Sequence, residues 1–336
     1  MNELHFYRTI MNDRQIMRAA RFVEPRRIEI QTTPRPQPGP GEVRIQVEGC
    51  GLCGSNLAVW RGLPWLHYPM APGEPGHEAW GRIDEIGSEV QHVRAGERYA
   101  FLSARGFAEY AIADAASLVA VPPRTDIFPG EALACALNIH RRCEIRAGDT
   151  VAVIGIGFIG ALLVRLAARA RARVIALSQR EFSLQLACRL GAVATLSAQT
   201  PEVTAHVMEL TEGKGCERVI EAAGTQHSLD LASALVSTGG RLIIAGYHQD
   251  GPRQINLQSW NWHGIDVINA HERNPERYVS GMRAAAAQIA SGALDPSPLY
   301  THGFSLDQCA DAFEALETRP AGFVKCWIRP GDGRRI

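Results

Sequence analysis

The sequence predicts an α/β protein of two domains, one β-rich and one built on a doubly wound parallel sheet. Three observations carry that prediction. The chain has 336 residues, about the length of two ordinary domains. From Val151 onward, short apolar strands alternate with amphipathic helices, the pattern that builds a parallel sheet covered on both faces. Between Met17 and about Ala120, short alternating segments are broken by proline- and glycine-rich turns, the texture of an irregular β-domain with long loops.

Residues 1–16 read as an extension ahead of the first strand-like pattern. In the β-rich part, Val43–Val47, Gly81–Ile86 and Tyr110–Ala113 alternate as strands, separated by turns such as P-R-P-Q-P-G-P-G-E and A-P-G-E-P-G-H-E. The texture changes near Pro129. Val151–Ile154 then reads as a strand, the segment from Ala161 as a helix, Arg173–Leu177 as a strand and Phe182–Leu190 as a helix. Further strands fall at Arg218–Ile220, Arg241–Ala245 and Ile265–Ile268, and the tail holds a helix over Met282–Ala290 and a strand over Val324–Ile328. There is no internal repeat and no low-complexity stretch.

Composition excludes several classes. Hydrophobic residues make up 46% and charged residues 21%, an ordinary globular balance. Lys plus Arg and Asp plus Glu are 35 each, so no electrostatic footprint for nucleic acid exists. No apolar run approaches the roughly 20 residues of a membrane span, and the N-terminus lacks the apolar core of a signal peptide. Eight cysteines in this length are not a secreted disulfide scaffold, so reduced thiols in the cytoplasm are expected.

V-A-V-I-G-I-G-F-I-G sets Gly155, Gly157 and Gly160 in G-x-G-x-x-G spacing, with Phe158 and Ile159 between the last two. The motif follows an apolar strand and opens a helix, the context that dinucleotide binding requires. Gly155 permits the turn, Gly157 lets backbone approach a pyrophosphate, and Gly160 lets the helix pack on the strand. A tight glycine turn without ligand is the plainer alternative. After the second strand, where an acidic residue would meet a free ribose 2′-hydroxyl, stand Ser178, Gln179 and Arg180. An uncharged residue with an arginine nearby suits a 2′-phosphate and therefore NADP(H), unless Arg180 is only a solvated cation at a helix start.

The β-rich part carries G-C-G-L-C-G-S-N (Gly49–Asn56) and, 24 residues after Cys53, the run G-H-E (Gly76–Glu78). Cys50 and Cys53 form a C-x-x-C, but no second C-x-x-C completes a structural zinc site. His77 alone would be an ordinary core histidine.

Taken with G-L-C-G-S, P-G-H-E-A-W-G, the G-F-A-E-Y segment (Gly106–Tyr110) and the glycine fingerprint, the chain resembles the medium-chain dehydrogenase/reductase superfamily. The likeness is to its zinc-dependent alcohol and polyol dehydrogenase branch (sorbitol and threonine dehydrogenases), and it runs from about Met17 to Ile328. It implies a GroES-like catalytic domain of residues 17–131 and 271–336. A six-stranded Rossmann domain of residues 132–270 follows, with one catalytic zinc in the cleft between them. Cys53 then matches the thiolate ligand, His77 the imidazole ligand and Glu78 the neighbouring carboxylate. Glu131 matches a glutamate that binds the metal or its water, its plainer reading being a carboxylate at a helix start. Ser55 matches the hydroxyl that passes on the substrate proton, its plainer reading being a turn-stabilising serine. The activity implied is reversible hydride transfer between NADP(H) and a small alcohol or carbonyl compound, with zinc as Lewis acid. Rival readings are a zinc-free quinone or enoyl reductase, a lyase or epimerase that retains its cofactor, and a non-catalytic NADP(H)-binding protein.

The chain departs from that pattern in places. Asn56 stands where an aspartate usually orients the histidine ligand, and it is expected to accept that bond without charge. Ala58 replaces a histidine that ends the proton relay. The span Tyr99–Gly106 lacks the four-cysteine lobe of a structural zinc. Trp60, Trp65, His67 and Tyr68 are expected in a loop of the kind that walls the family's substrate pocket. The run N-A-H-E-R-N (Asn269–Asn274), with His271, Glu272 and Arg273, is polar enough for a sugar, cyclitol or polyol, or for a salt-bridged hinge. By analogy a homodimer or homotetramer forms, with residues 265–271 as a possible edge.

Overall fold

The proline-punctuated start of the chain folds as short antiparallel strands in this computed structural model, which describes residues 15–331. The extension expected over residues 1–16 lies outside the described residues as far as position 14, and Ile16 already belongs to the first strand. Strands β1 (Ile16–Glu24) and β2 (Arg27–Pro34) form a hairpin, closed by Arg26 in the left-handed region at φ 60°. They are followed by β3 (Glu42–Gly51), helix α1 (Asn56–Arg61), β4 (Glu78–Ile86), β5 (Arg98–Ala100), β6 (Tyr110–Asp114) and β7 (Val119–Ala120). Helix α2 (Gly130–Cys143) leads into a second unit. That unit runs through β8 (Thr150–Ile154), α3 (Phe158–Arg169), β9 (Arg173–Ser178), α4 (Glu181–Leu190), β10 (Ala194–Ser197) and α5 (Val203–Leu210). It continues with β11 (Cys216–Glu221), α6 (Gln226–Leu235), β12 (Val236–Ile244), α7 (Leu257–His263) and β13 (Asp266–Asn269). The chain ends with α8 (Pro275–Ala290), β14 (Tyr300–Ser305), α9 (Cys309–Thr318) and β15 (Lys325–Arg329). By its contacts the chain divides into Met1–Ala134 with Asn274–Ile336, and Cys135–Arg273.

In the first unit a sheet runs β14-β15-β3-β4-β5-β7, with β6 beside β3. Its core needs both chain ends. Phe313 of α9 packs edge-on to Phe22 of β1 at 4.9 Å and to Phe107 at 5.8 Å, and lies 5.6 Å from Trp60 of α1. Aromatic burial of this size explains why the C-terminal segment returns to the N-terminal strands.

In the second unit six strands lie in the order β10-β9-β8-β11-β12-β13, every neighbouring pair parallel. Numbered from β8, this is the 3-2-1-4-5-6 order of the dinucleotide-binding sheet. All five residues of β8 are buried, which is why the segment reads as an unbroken apolar run rather than an alternating one. Helix α3 starts at Phe158, three residues before the expected Ala161, because the glycine turn feeds it directly. Among the described residues no helix is long and apolar enough to cross a membrane.

Candidate active site

The register of β3 against β4 gathers the candidate metal ligands. Gly51, the last residue of β3, pairs with Glu78, the first of β4. The turn after β3 therefore meets the residues entering β4. Ligand atoms of Cys53, His77 and Glu78 all lie within 4.8 Å of one another, the one such group of three among the described residues. His77 Nδ1 lies 3.0 Å from the Pro75 carbonyl, which can only accept, so Nδ1 carries a proton and Nε2 is the nitrogen that could ligate a metal once it gives up its own.

Asn56 does not take the expected bond from His77. Its Oδ1 accepts from the Cys53 backbone N–H at 2.8 Å and its Nδ2 donates to the Pro75 carbonyl at 3.2 Å. The amide serves the turn by offering both a donor and an acceptor, which a carboxylate cannot do. Ser55 is the N-cap residue of α1, yet its hydroxyl makes no capping bond, so it does not stabilise the turn in that way.

Glu78 is 1% exposed and has a cationic partner from the far end of the chain. Lys325 Nζ donates to its carboxylate at 2.7 Å and 2.5 Å, and to the Leu52 carbonyl at 2.8 Å. Burial opposes the charge on Lys325, but Glu78 and then Cys53 outweigh it and raise its pKa above the usual lysine value. Glu131 lies in the first turn of α2. For His77, burial disfavours the imidazolium, while Cys53, Glu131 and Glu78 favour it more strongly, lifting its pKa to about 10. Sulfur from Cys53, nitrogen from His77 and carboxylate oxygen form a donor set of the kind that fits zinc.

In the second unit, Gly155 has φ 95°, and a Cβ there would come within 2.8 Å of Ala223. A Cβ on Gly160 would sit 2.0 Å from the Gly155 carbonyl, whereas one on Gly157, the N-cap of α3, would meet nothing within 4 Å. The turn is packed on its inner side and open at Gly157, where backbone can approach a phosphate. Phe158 is buried beneath it, with Ile159 partly covered. Ser178 ends β9, Gln179 is exposed and Arg180 is the N-cap residue of α4, its backbone N–H donating to Ser178 Oγ at 3.3 Å.

Family models match both parts of the chain: "Alcohol dehydrogenase GroES-like domain" over residues 39–123 and "Zinc-binding dehydrogenase" over residues 159–287. The chain belongs to the zinc-binding, medium-chain dehydrogenase family. It is 28% identical to an alcohol dehydrogenase of Cupriavidus necator, covering 94% of this chain and 99% of the relative. It is 27% identical to a sorbitol dehydrogenase of Halalkalibacterium halodurans, covering 90% and 96%. A zinc-binding dehydrogenase of Sinorhizobium meliloti, solved bound to NADP, superposes with a TM-score of 0.82 at 27% identity, covering 94% and 99%.

Within this dehydrogenase frame a second expectation, after that for Asn56, needs correcting. Trp60 is not in a loop. It lies on α1, 6% exposed, and its indole N–H donates to Glu317 at 3.1 Å. Trp65 and His67 are exposed, and Tyr68 donates to the Val59 carbonyl. In the second unit, His271 stacks on Tyr247 at 5.7 Å and 21°. Lys325 was the residue that sequence reading passed over. A lone lysine in the apolar run F-V-K-C-W-I was the available signal, since a charge there needs a buried partner.

Proposed function

We propose that this dehydrogenase uses one zinc ion to transfer hydride between NADP(H) and an alcohol or its carbonyl, with polyols, cyclitols and sugars as candidate substrates. The observation that carries the reading is the gathering of Cys53, His77 and Glu78 within 4.8 Å, with Glu78 already neutralised by Lys325. Cys53 and His77 would hold the metal together with Glu78 or Glu131, and Lys325 would compete with the metal for Glu78. When bound, zinc supplies a Lewis acid for the substrate oxygen and the nicotinamide supplies the hydride acceptor. Pro75 fixes the His77 tautomer. Ser55 receives the hydroxyl proton, and with Ala58 in place of a histidine it passes that proton to water. Arg180 beside Ser178 selects the 2′-phosphate, and Gly157 gives the pyrophosphate room.

The edge strand β13 and helix α7 are the proposed contact between copies in a homodimer or homotetramer. Strand β13 has one neighbour in its sheet, Trp262 is 85% exposed, and Ile255, Leu257 and Val267 are exposed as well. A cytoplasmic setting, in which eight thiols stay unpaired, belongs to the same reading.

The test is zinc by elemental analysis on protein purified without added metal, alongside NADP⁺-dependent oxidation of a polyol panel. About one equivalent per chain is expected, falling to near zero with turnover in Cys53→Ala, while NADPH affinity stays within about twofold. Turnover without metal would move the chain to the zinc-free reductases.

A further inference from the structure

Beyond the glycine turn, the second unit holds a buried polar chain that hydride transfer does not use. Glu221, the last residue of β11, is fully buried. Its Oε1 accepts from the backbone N–H groups of Ala223 at 2.8 Å and Gly224 at 2.7 Å, and from Ser228 Oγ at 2.8 Å. Its Oε2 lies 2.9 Å from His248 Nε2. On the other face of the imidazole, Arg253 Nε donates to His248 Nδ1 at 2.8 Å. The same guanidinium donates to the Gly224 carbonyl at 2.9 Å and pairs with Asp250. A guanidinium has no acceptor, so Nδ1 must accept and Nε2 must carry the proton donated to Glu221. His248 is therefore held as one neutral tautomer, donor on one side and acceptor on the other.

The position of this chain gives it a use. The Ala223–Gly224 segment is gripped from both directions: its N–H groups by Glu221 and its carbonyl by Arg253. That segment is the wall against which the Gly155 turn packs, since a Cβ on Gly155 would lie 2.8 Å from Ala223. The loop after β12 is fixed by the same contacts. Gly246 lets it pass so close that a Cβ there would lie 2.6 Å from Glu221 Oε2 and 2.4 Å from the Gly224 N. The carboxyl ends of β8, β11 and β12 are thus tied into one layer, where a doubly wound sheet receives its ligand.

We infer that the Glu221–His248–Arg253 relay is the positioning device for the dinucleotide, with His248 as its exchange point. The inference rests on the cofactor reading above. The relay holds the wall of the phosphate turn in its binding conformation before cofactor arrives, so its loss appears as weaker dinucleotide binding and leaves the metal set untouched.

Equilibrium titration of NADPH fluorescence against wild type, His248→Leu, Arg253→Met, the double variant and His248→Gln tests this, with zinc content and thermal midpoint recorded for each. Glutamine keeps one donor and one acceptor at similar reach. His248→Leu and Arg253→Met should each weaken NADPH by about tenfold, the cost of one hydrogen bond to a charged partner. The double variant should be no weaker than either single change, and His248→Gln should stay within about twofold of wild type. In turnover, KM for NADP⁺ should rise with kcat nearly unchanged. NADPH affinity unaltered in His248→Leu overturns the relay. So does an equal loss in His248→Leu and His248→Gln, because the donor–acceptor pair is then not what the site needs. If wild type binds neither NADPH nor NADH, the cofactor reading itself fails, which the variants alone could not show.

Discussion

The unit Cys135–Arg273 makes its candidate site from backbone: a left-handed glycine, a helix start, and a carbonyl 2.0 Å from where a Cβ on Gly160 would fall. The other unit makes its candidate site from side chains: a thiol, an imidazole and carboxylates brought together by the β3–β4 register. The two are vulnerable to opposite changes. A backbone site tolerates most side-chain chemistry but not the addition of one methyl group. A side-chain site tolerates bulk around it but not the loss of one ligand atom.

The largest effect that would break this comparison is Gly160→Ala. Its added carbon meets backbone that cannot rotate away, so NADPH affinity should fall at least about 100-fold with zinc content unchanged. An NADPH titration that superposes on wild type would show the turn to be looser than its packing implies. A smaller, sharper effect belongs to Arg180→Ala, which should weaken NADPH by about 1–3 kcal/mol and leave NADH nearly where it was. Equal loss for both cofactors would remove the 2′-phosphate from its role.

The smallest effect lies in the first unit, away from the metal ligands. Glu317 accepts from Arg26, Arg61 and the Trp60 indole, tying α9 to the helix that follows Ser55. Led by its bond to Arg26, these partners hold its carboxyl down at about 2. A carboxyl lowered in the folded state contributes stability above its unfolded pKa of about 4.3, and that contribution is lost as pH falls toward 2. Glu317→Gln should therefore lower stability by about 1 kcal/mol at neutral pH, reckoned for a partly exposed pair, and by less near pH 2. Denaturant midpoints at both pH values check it; a cost independent of pH would make Glu317 a packing residue.

Much of the fold was legible because its strongest signals are local. Val151–Ile154 reads as a buried parallel strand since all of β8 is covered. Helix α7 gave no signal because it buries no residue and so has no apolar stripe. Trp60 escaped because α1 is six residues long, too short to show a period. At the candidate metal set, the family resemblance singled out Cys53, His77, Glu78 and Glu131 but did not separate the two carboxylates. Glu78 pairs with Lys325, 247 residues away in sequence, and no local pattern records a partner that distant.

Lys325 also makes the molecule its own reporter. The chain has 35 cationic side chains and only two lysines, Lys214 and Lys325. Lys214 has a side chain 73% exposed and Lys325 one 6% exposed. An amine-reactive reagent applied to the folded protein meets Lys214, while Lys325 stays masked by Glu78. Peptide mapping after a timed pulse of such a reagent reads out, at one residue, how often the buried Glu78–Lys325 pair opens. Zinc that steadies the neighbouring side chains will register as a slower gain of mass at that peptide, with Lys214 as the internal clock.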